Sequence, residues 1–357
     1  MTFDEARAQF PVLERFAYLN AGTFGPLGRR TAEAMAERVQ ADVESGRGGK
    51  PYFEAMIDLR LRVRGLLATE LAVPPELVVL TSSTTEGCNV VLGGLGLQPE
   101  DEVVTTDSEH FGLLGPLHAS GARVRVAAIR ERPAAEALDA ILAQVGPRTK
   151  LVAVSHVTWT AGHVIPVEEL KAQVSVPVLV DGAQSVGAIP AAAGAIDFYT
   201  VSGQKWLCGP DSTGALYVAD PDRLRVARPS YLSQASYAPD GSYEPRPGAA
   251  RFAPGWIAPA ALAGLEAALT DRPDWRFERA REMTERCREL LSEEFEVATE
   301  SGHATLVSWR HDDAPAAAAR AFDRGVVIRD LPGLGWLRAS CGYWTSEDDL
   351  ERLVAAL

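Results

Sequence analysis

Three short stretches of this chain carry side chains whose types and order could do chemistry. The first, Thr81-Ser82-Ser83-Thr84-Thr85-Glu86-Gly87, is a hydroxyl-rich turn running into a helix that begins near Glu86. A helix N-terminus offers free N–H groups and the positive end of its dipole, which together with hydroxyls suit an anion such as a phosphate; Ser or Thr at that place can equally well do no more than cap the helix. In the second, Asp181 follows the apolar run Val176–Val180, with Gln184 just beyond it. A carboxylate at the end of a buried strand is costly unless paired, so Asp181 would cap a helix, bind a metal or pair with a cationic nitrogen. In the third, Asp197–Val201 leads into Ser202-Gly203-Gln204-Lys205-Trp206. A desolvated lysine near other cations loses its proton more readily and can form a Schiff base, whereas a lysine in a solvated loop keeps its charge.

The elements that must position these groups are legible in the hydrophobic pattern. Short apolar runs at Leu77–Leu80, Glu102–Thr105, Arg123–Ala127, Leu151–Ser155, Val176–Val180, Phe198–Ser202 and Leu216–Val218 alternate with longer helical or polar stretches. They are rich in Val and spaced widely enough for crossovers, which predicts an α/β fold with a mostly parallel sheet flanked by helices. Before them, Phe10 to Asn20 reads as an extended arm, and Arg29–Glu44 and Tyr52–Glu70 have helical spacing. After Pro221 a loop-rich stretch reaches Pro259. Helices are expected at Ala260–Thr270 and Trp275–Glu293, followed by strand Ala304–Trp309, helix Pro315–Arg324, strands Val326–Arg329 and Trp336–Ser340, and helix Ser346–Leu357. That tail predicts a smaller α+β C-terminal domain. In an open α/β sheet, ligands bind beyond the carboxyl ends of the strands, where all three polar stretches fall.

Composition narrows the function classes. The formal net charge of −13 and the lack of a dense Lys/Arg block argue against nucleic acid as a partner. No run approaches the roughly 18 apolar residues of a membrane helix, and no basic amphipathic helix suggests membrane-surface binding. Cys88, Cys208, Cys287 and Cys341 are far apart, without CxxC pairs or zinc spacing, so no metal is expected. Met1 to Phe10 contains Asp4 and Glu5 and no apolar core of a signal peptide. A reducing cytoplasm with free thiols is the expected location.

A phosphate cradle, an acid and a lysine at one sheet edge, in that order, are the three anchors that pyridoxal 5′-phosphate requires. The chain resembles the class V aminotransferase group of fold-type I pyridoxal-phosphate enzymes, which includes cysteine desulfurases, kynureninase-like enzymes and cystine/cysteine C–S lyases. The resemblance covers nearly the whole chain. It rests on Tyr18-Leu19-Asn20, Thr84-Thr85-Glu86-Gly87-Cys88-Asn89, Glu109-His110, Ser155-His156-Val157, Val180-Asp181-Gly182-Ala183-Gln184-Ser185 and Ser202-Gly203-Gln204-Lys205-Trp206. It implies an N-terminal arm (1–25) joining the small domain, a large cofactor-binding domain (26–250) and a small C-terminal domain (251–357). It also implies a homodimer acting on a small amino-acid substrate.

By the same resemblance Lys205 matches the Schiff-base lysine, Asp181 the partner of the pyridine nitrogen, Gln184 a donor to the ring hydroxyl and His110 the residue stacked on the ring. Lys205, Asp181 and His110 would be catalytic. Thr84, Thr85 and Ser202 match phosphate ligands. Arg338 matches the arginine that grips the substrate carboxylate, with Asn20 and Trp159 beside the substrate; Phe24, Tyr52 and Trp256 are further candidates for its pocket. Three departures separate the chain from the desulfurases: Gln204 in place of a His before the lysine, Trp159 where an Asn would stand, and no Cys in Arg329-Asp330-Leu331-Pro332-Gly333-Leu334-Gly335-Trp336. Trp159, with the stretches Ser155–Gly162, Gly203–Pro210 and Arg338–Thr345, looks more like the C–S lyase branch. The expected activity is a C–S β-lyase on cysteine, cystine or a related S-substituted cysteine, giving pyruvate, ammonia and a sulfur product. The alternatives are an aminotransferase or epimerase of the same group, a cysteine desulfurase (disfavoured for want of the loop Cys), or a fold relative without catalysis. The stretch Arg251–Trp256 falls where relatives reach the neighbour's phosphate site, but departs from their Gly-Thr pattern.

Overall fold

Seven strands form the central sheet of the computed structural model, which describes residues 1–357. They are β1 (Val78–Thr81), β2 (Glu102–Thr106), β3 (Arg123–Ala127), β4 (Thr149–Ser155), β5 (Val178–Asp181), β6 (Phe198–Ser202) and β7 (Gly214–Val218). Their order across the sheet is β1-β7-β6-β5-β4-β2-β3. Only β7 runs against the rest, pairing antiparallel with both β1 and β6. Every residue of β5, β6 and β7 is buried, which is why these strands read as continuous apolar runs rather than alternating ones. The edge strand β3 instead leaves Arg123 and Val126 exposed.

Helices cover both faces. On one, α1 (Arg29–Ser45) and α2 (Gly49–Glu70) are joined by α5 (Pro259–Thr270); on the other lie α3 (Thr84–Leu95) and α4 (Phe111–Ala119). Leu59, Val63 and Leu67 of α2 pack with Leu80, Val152, Val178 and Val180 of the strands. Cys88, Val91 and Leu92 of α3 and Leu113 and Leu117 of α4 pack over Val103, Leu151 and Leu179. Each such buried aliphatic side chain contributes about 2 kcal/mol relative to exposure in water.

The C-terminal part is a three-stranded antiparallel sheet of β8 (Leu306–Arg310), β9 (Arg329–Leu331) and β10 (Trp336–Ser340), ordered β8-β10-β9. Helices α6 (Arg276–Ser292), α7 (Ala314–Asp323) and α8 (Glu347–Ala356) accompany it. Its core contains Trp309, Leu337, Leu350 and Leu353 together with Ala17 and Leu19 from the N-terminal segment. The fold is thus the α/β type expected, with a smaller α+β domain.

Three local expectations need correction. Phe10–Asn20 is not an extended arm: Pro11–Glu14 is a 3-10 turn opened by its proline, and only Ala17–Tyr18 is strand, paired in parallel with Val326–Val327. Phe10 is held instead by the rings of Tyr343 and Trp344, at 6.1 and 5.4 Å. Val326–Arg329 is not one strand, because its first half joins the N-terminal segment and Arg329 begins β9 in another sheet. Helix α3 starts at Thr84, two residues early, because Ser83 caps it.

The crossing from β5 into its turn depends on close backbone approach. A Cβ at Gly182 would lie 2.2 Å from the Thr200 carbonyl oxygen and 2.4 Å from the Tyr199 ring. Gly182→Ala should therefore destabilise the protein by about 2–3 kcal/mol. Gly115→Ala, in helix α4 with nothing within 4 Å of its Cβ position, should be neutral or stabilising by up to about 1 kcal/mol. Urea unfolding of the two variants checks the contrast.

Candidate active site

The three polar stretches meet at the carboxyl ends of β1, β5 and β6. At the end of β1, Ser83 Oγ accepts from the Glu86 N–H (3.1 Å) and Glu86 Oε2 accepts from the Ser82 N–H (2.6 Å). This capping fixes the turn and leaves the first N–H groups of α3, at Thr84 and Thr85, without intrahelical partners. Neither threonine hydroxyl is used in the cap. A Cβ at Gly112 would sit 2.5 Å from Thr85 Oγ1, so the start of α4 closes on the same place. The two helix N-termini form a cradle that could hold a phosphate.

Asp181 is the last residue of β5 and is buried; its Oδ1 accepts from the Ala183 N–H (2.9 Å) and from Thr200 Oγ1 (3.4 Å). Burial pushes its carboxyl above the ordinary range, and the charge of Lys205 pulls it back. Lys205 lies in the turn after β6. Burial pushes its amine down to about 8; Arg338 and Arg329 push the same way, and Asp181 opposes them. The loop after Asn20 presses directly on the lysine: the Gly25 N–H donates to the Gln204 carbonyl (2.8 Å), and a Cβ at Gly25 would be 2.0 Å from the Lys205 carbonyl oxygen.

Gln184 is brought to the same place with both ends engaged. Its Nε2 donates to the Gly22 carbonyl (2.8 Å) and its Oε1 accepts from Trp206 Nε1 (2.9 Å), leaving one amide hydrogen for a ligand. Ser202 Oγ donates to Gln204 Oε1 (2.7 Å). His110 is the N-cap of α4, its Nδ1 accepting from the Gly112 N–H (3.1 Å), and its ring meets the edge of Trp159 at 5.2 Å. Burial, then the charges of Lys205, Arg338 and Arg329, hold its pKa at about 4, so the ring is neutral at pH 7.

Arg338, at the middle of β10, is 1% exposed, yet it forms no ion pair. One Nη1–H bonds the Trp159 carbonyl (2.7 Å); Nε and Nη2 are buried without partners. Burial, then Arg329, lowers its pKa to about 9. Directly opposite in the β9–β10 register stands Arg329, which donates to the Asp330 carbonyl and Thr23 Oγ1 and lies 6.0 Å over the Trp159 ring. Like charges directly opposite across strands repel, so two guanidiniums here ask for an anion. Asn20 joins through Thr23, whose hydroxyl donates to its Oδ1 (2.8 Å).

Arg329 by itself carries no signal of a role in the sequence. The signal that could have found it is the Gly333–Gly335 turn between two strand-like runs, which sets residues 329 and 338 opposite each other. Glu109 was likewise overlooked as an acid. It is buried, accepting from the Ser155 N–H (2.9 Å), Ser155 Oγ (2.5 Å) and Thr106 Oγ1 (2.7 Å), and burial raises its pKa to about 7 against those bonds. Of the other pocket candidates, Phe24 is exposed, Tyr52 lies beneath Arg38 and Trp256 meets Phe53. All four cysteines are buried and free; burial raises the thiols of Cys88 and Cys208, and contact with Cys287 followed by burial raises that of Cys341.

Residues 37–296 match the family model described as Aminotransferase class-V. The isopenicillin N epimerase of Streptomyces clavuligerus is 28% identical over 99% of this chain and 97% of its own length. A cysteine desulfurase of Enterobacter sp. (strain 638) is 32% identical over 74% of this chain and 70% of its own. Two solved structures of C-DES, both 28% identical with a TM-score of 0.89, superpose almost completely. One, with glycine covalently linked to its pyridoxal-phosphate cofactor, covers 98% of each chain; the other, the cystine C–S lyase with its reaction product cysteine persulfide, covers 97% of this chain and 98% of that one.

The raised pKa of Glu109 makes a stability prediction. A buried acid held above its ordinary 4.5 adds stability that is fully present below pH 4.5 and is lost as pH rises through about 7. The change is on the order of 3 kcal/mol. Glu109→Gln should remove that slope, so the fall in urea-unfolding free energy between pH 5 and 7.5 should shrink by most of this amount.

Proposed function

The chain belongs to the aminotransferase class-V family, and on that footing we propose that this pyridoxal-phosphate enzyme is a C–S β-lyase acting on cystine, cysteine or a related S-substituted cysteine. The observation that carries the reading is the buried Arg338 guanidinium, unpaired by any acid and opposite Arg329, in a site that offers no reactive thiol.

The residues present fit the cofactor. Thr84 and Thr85, with the N-terminus of α3, would hold its phosphate together with Ser202; Asp181 would hold the ring nitrogen, Gln184 the ring hydroxyl, His110 the ring face and Lys205 the aldehyde carbon. When bound, pyridoxal phosphate supplies an electron sink that acidifies the α-carbon of an amino acid. Arg338 receives the α-carboxylate on its free Nε and Nη2 hydrogens, a bidentate geometry that guanidinium favours. Arg329 receives the second carboxylate of a disulfide substrate, while Trp159 and Asn20 border it. Neutral His110 adds no charge beside the ring. Lys205, whose amine is poised near pH 8, takes the α-proton. Loss of the Cβ sulfur and addition of water then convert cystine to pyruvate, ammonia and cysteine persulfide. No enzyme thiol takes part, in contrast to a persulfide-forming desulfurase.

A second reading, an amino-acid epimerase, is favoured by the full-length similarity to isopenicillin N epimerase. In it Lys205 takes the α-proton, and a group on the opposite face returns one. The family resemblance behind the lyase reading divides the chain at 1–25, 26–250 and 251–357, with α5 of the last part packed on the large sheet, and makes it a cytoplasmic homodimer. No helix is long and apolar enough to cross a membrane.

The test is pyruvate release from L-cystine, L-cysteine and an S-conjugate with no 2-oxo acid present. Sustained turnover is expected, lost in Lys205→Ala and unchanged after brief iodoacetamide treatment of the native enzyme. Inverted substrate without pyruvate would install the epimerase reading; amino-group transfer to an added 2-oxo acid would install an aminotransferase. Arg329→Gln should raise KM for cystine at least tenfold, with a much smaller change for cysteine; equal changes would remove Arg329 from the distal carboxylate.

A further inference from the structure

A second group of unpaired guanidiniums lies apart from the cofactor site. Strand β1 is an edge of the central sheet, and between it, helix α2 and the segment 232–253 is a cavity of about 110 Å³. Arg60 and Arg64 of α2 and Arg246 of the covering segment line it. None of the three forms an ion pair, although Arg62 on the same helix binds Glu266 through Nε at 2.5 Å. Arg60 Nη1 and Arg64 Nε are buried without any partner. Both side chains are half-buried, and burial followed by the charge of Arg64 lowers the pKa of Arg60.

Like charges four residues apart on a helix repel, and buried N–H donors without acceptors are destabilising. Arg60 and Arg64, each with a buried donor and no carboxylate beside it, therefore mark a place for an anion supplied from outside the chain, while Arg246 at the rim is exposed. The remaining lining is aliphatic, with Leu61, Val79 and Leu232 among it. Sulfate or phosphate would find no donors on that wall. The cavity is smaller than the roughly 300–1,000 Å³ of pockets that enclose nucleotide-sized ligands.

We propose that this cavity is a binding site for a short monocarboxylate, its carboxylate on Arg60 and Arg64 and its alkyl body against Leu61, Val79 and Leu232. The proposal is independent of the reaction assigned above.

Calorimetric titration of the cofactor-loaded enzyme with sodium butyrate tests it, with butyramide and sodium sulfate as comparators. Butyrate is expected to bind at least tenfold more tightly than either. Binding should weaken at least tenfold in Arg60→Gln and in Arg64→Gln, and persist in Arg338→Gln. Three results would overturn the proposal. Butyrate heat that vanishes in Arg338→Gln and survives in Arg60→Gln would be accounted for by the cofactor site. Sulfate could match butyrate, leaving unspecific anion screening. Or Arg60→Gln could lower the sedimentation coefficient to that of a smaller species, so that these arginines meet carboxylates of a second copy.

Discussion

Burial of positive charge without an internal counter-charge is the constraint on which this molecule is arranged. Arg338 is almost wholly enclosed, faces Arg329 across a strand pair and has a single carbonyl for a partner. Such a charge is costly in isolation, and the chain holds it by rigid surroundings rather than by neutralising it. The Trp159 carbonyl that receives it belongs to a loop fastened to the small domain: the Ala304 N–H donates to the Gly162 carbonyl (3.1 Å), and Ser308 Oγ to that of Thr160. Gly162 adopts φ +74°, and a Cβ there would lie 2.7 Å from the Leu306 carbonyl oxygen, so only glycine lets this loop lie flat on β8. The small sheet thus delivers Arg338, and the loop from the large sheet orients it.

The same charge sets the chemistry opposite. Lys205 is brought down to about 8 first by burial and then by the two arginines, while Asp181 opposes them. His110 is kept neutral by the same set. Buried positive charge favours an anionic partner and holds the Lys205 amine below the range of an exposed lysine. The geometry of Asp181 and its turn is maintained from behind by a buried chain in which Tyr199 Oη contacts both Ser185 Oγ and His156 Nδ1 at 2.6 Å.

How much of this was legible in the sequence follows from which facts are local. The strands were readable because sheets buried on both faces impose uninterrupted apolar runs, and Asp181 and Lys205 stood out because each breaks such a run at its end. Arg338 could be placed through family resemblance, but its unpaired state could not, since that depends on what the loop at Trp159 brings near. Arg329 went unassigned because its role arises only from hairpin register. Glu109 is an ordinary surface residue type until Ser155 and Thr106 enclose it. The N-terminal segment misled because its apolar residues Phe10 and Leu13 look strand-like, whereas an aromatic cluster with Tyr343 and Trp344 decides their shape.

Arg338, buried and unpaired, is proposed to receive the α-carboxylate of the substrate. Comparing kcat/KM for L-cysteine and L-cysteine amide, in the wild type and in Arg338→Gln, tests it most directly. A lost charge-assisted pair in a dry site is worth about 2–5 kcal/mol. The wild type should therefore prefer the carboxylate on the order of a hundredfold, and Arg338→Gln should lose nearly all of that preference. A preference that survives intact in Arg338→Gln would contradict the claim and place the carboxylate elsewhere in the site.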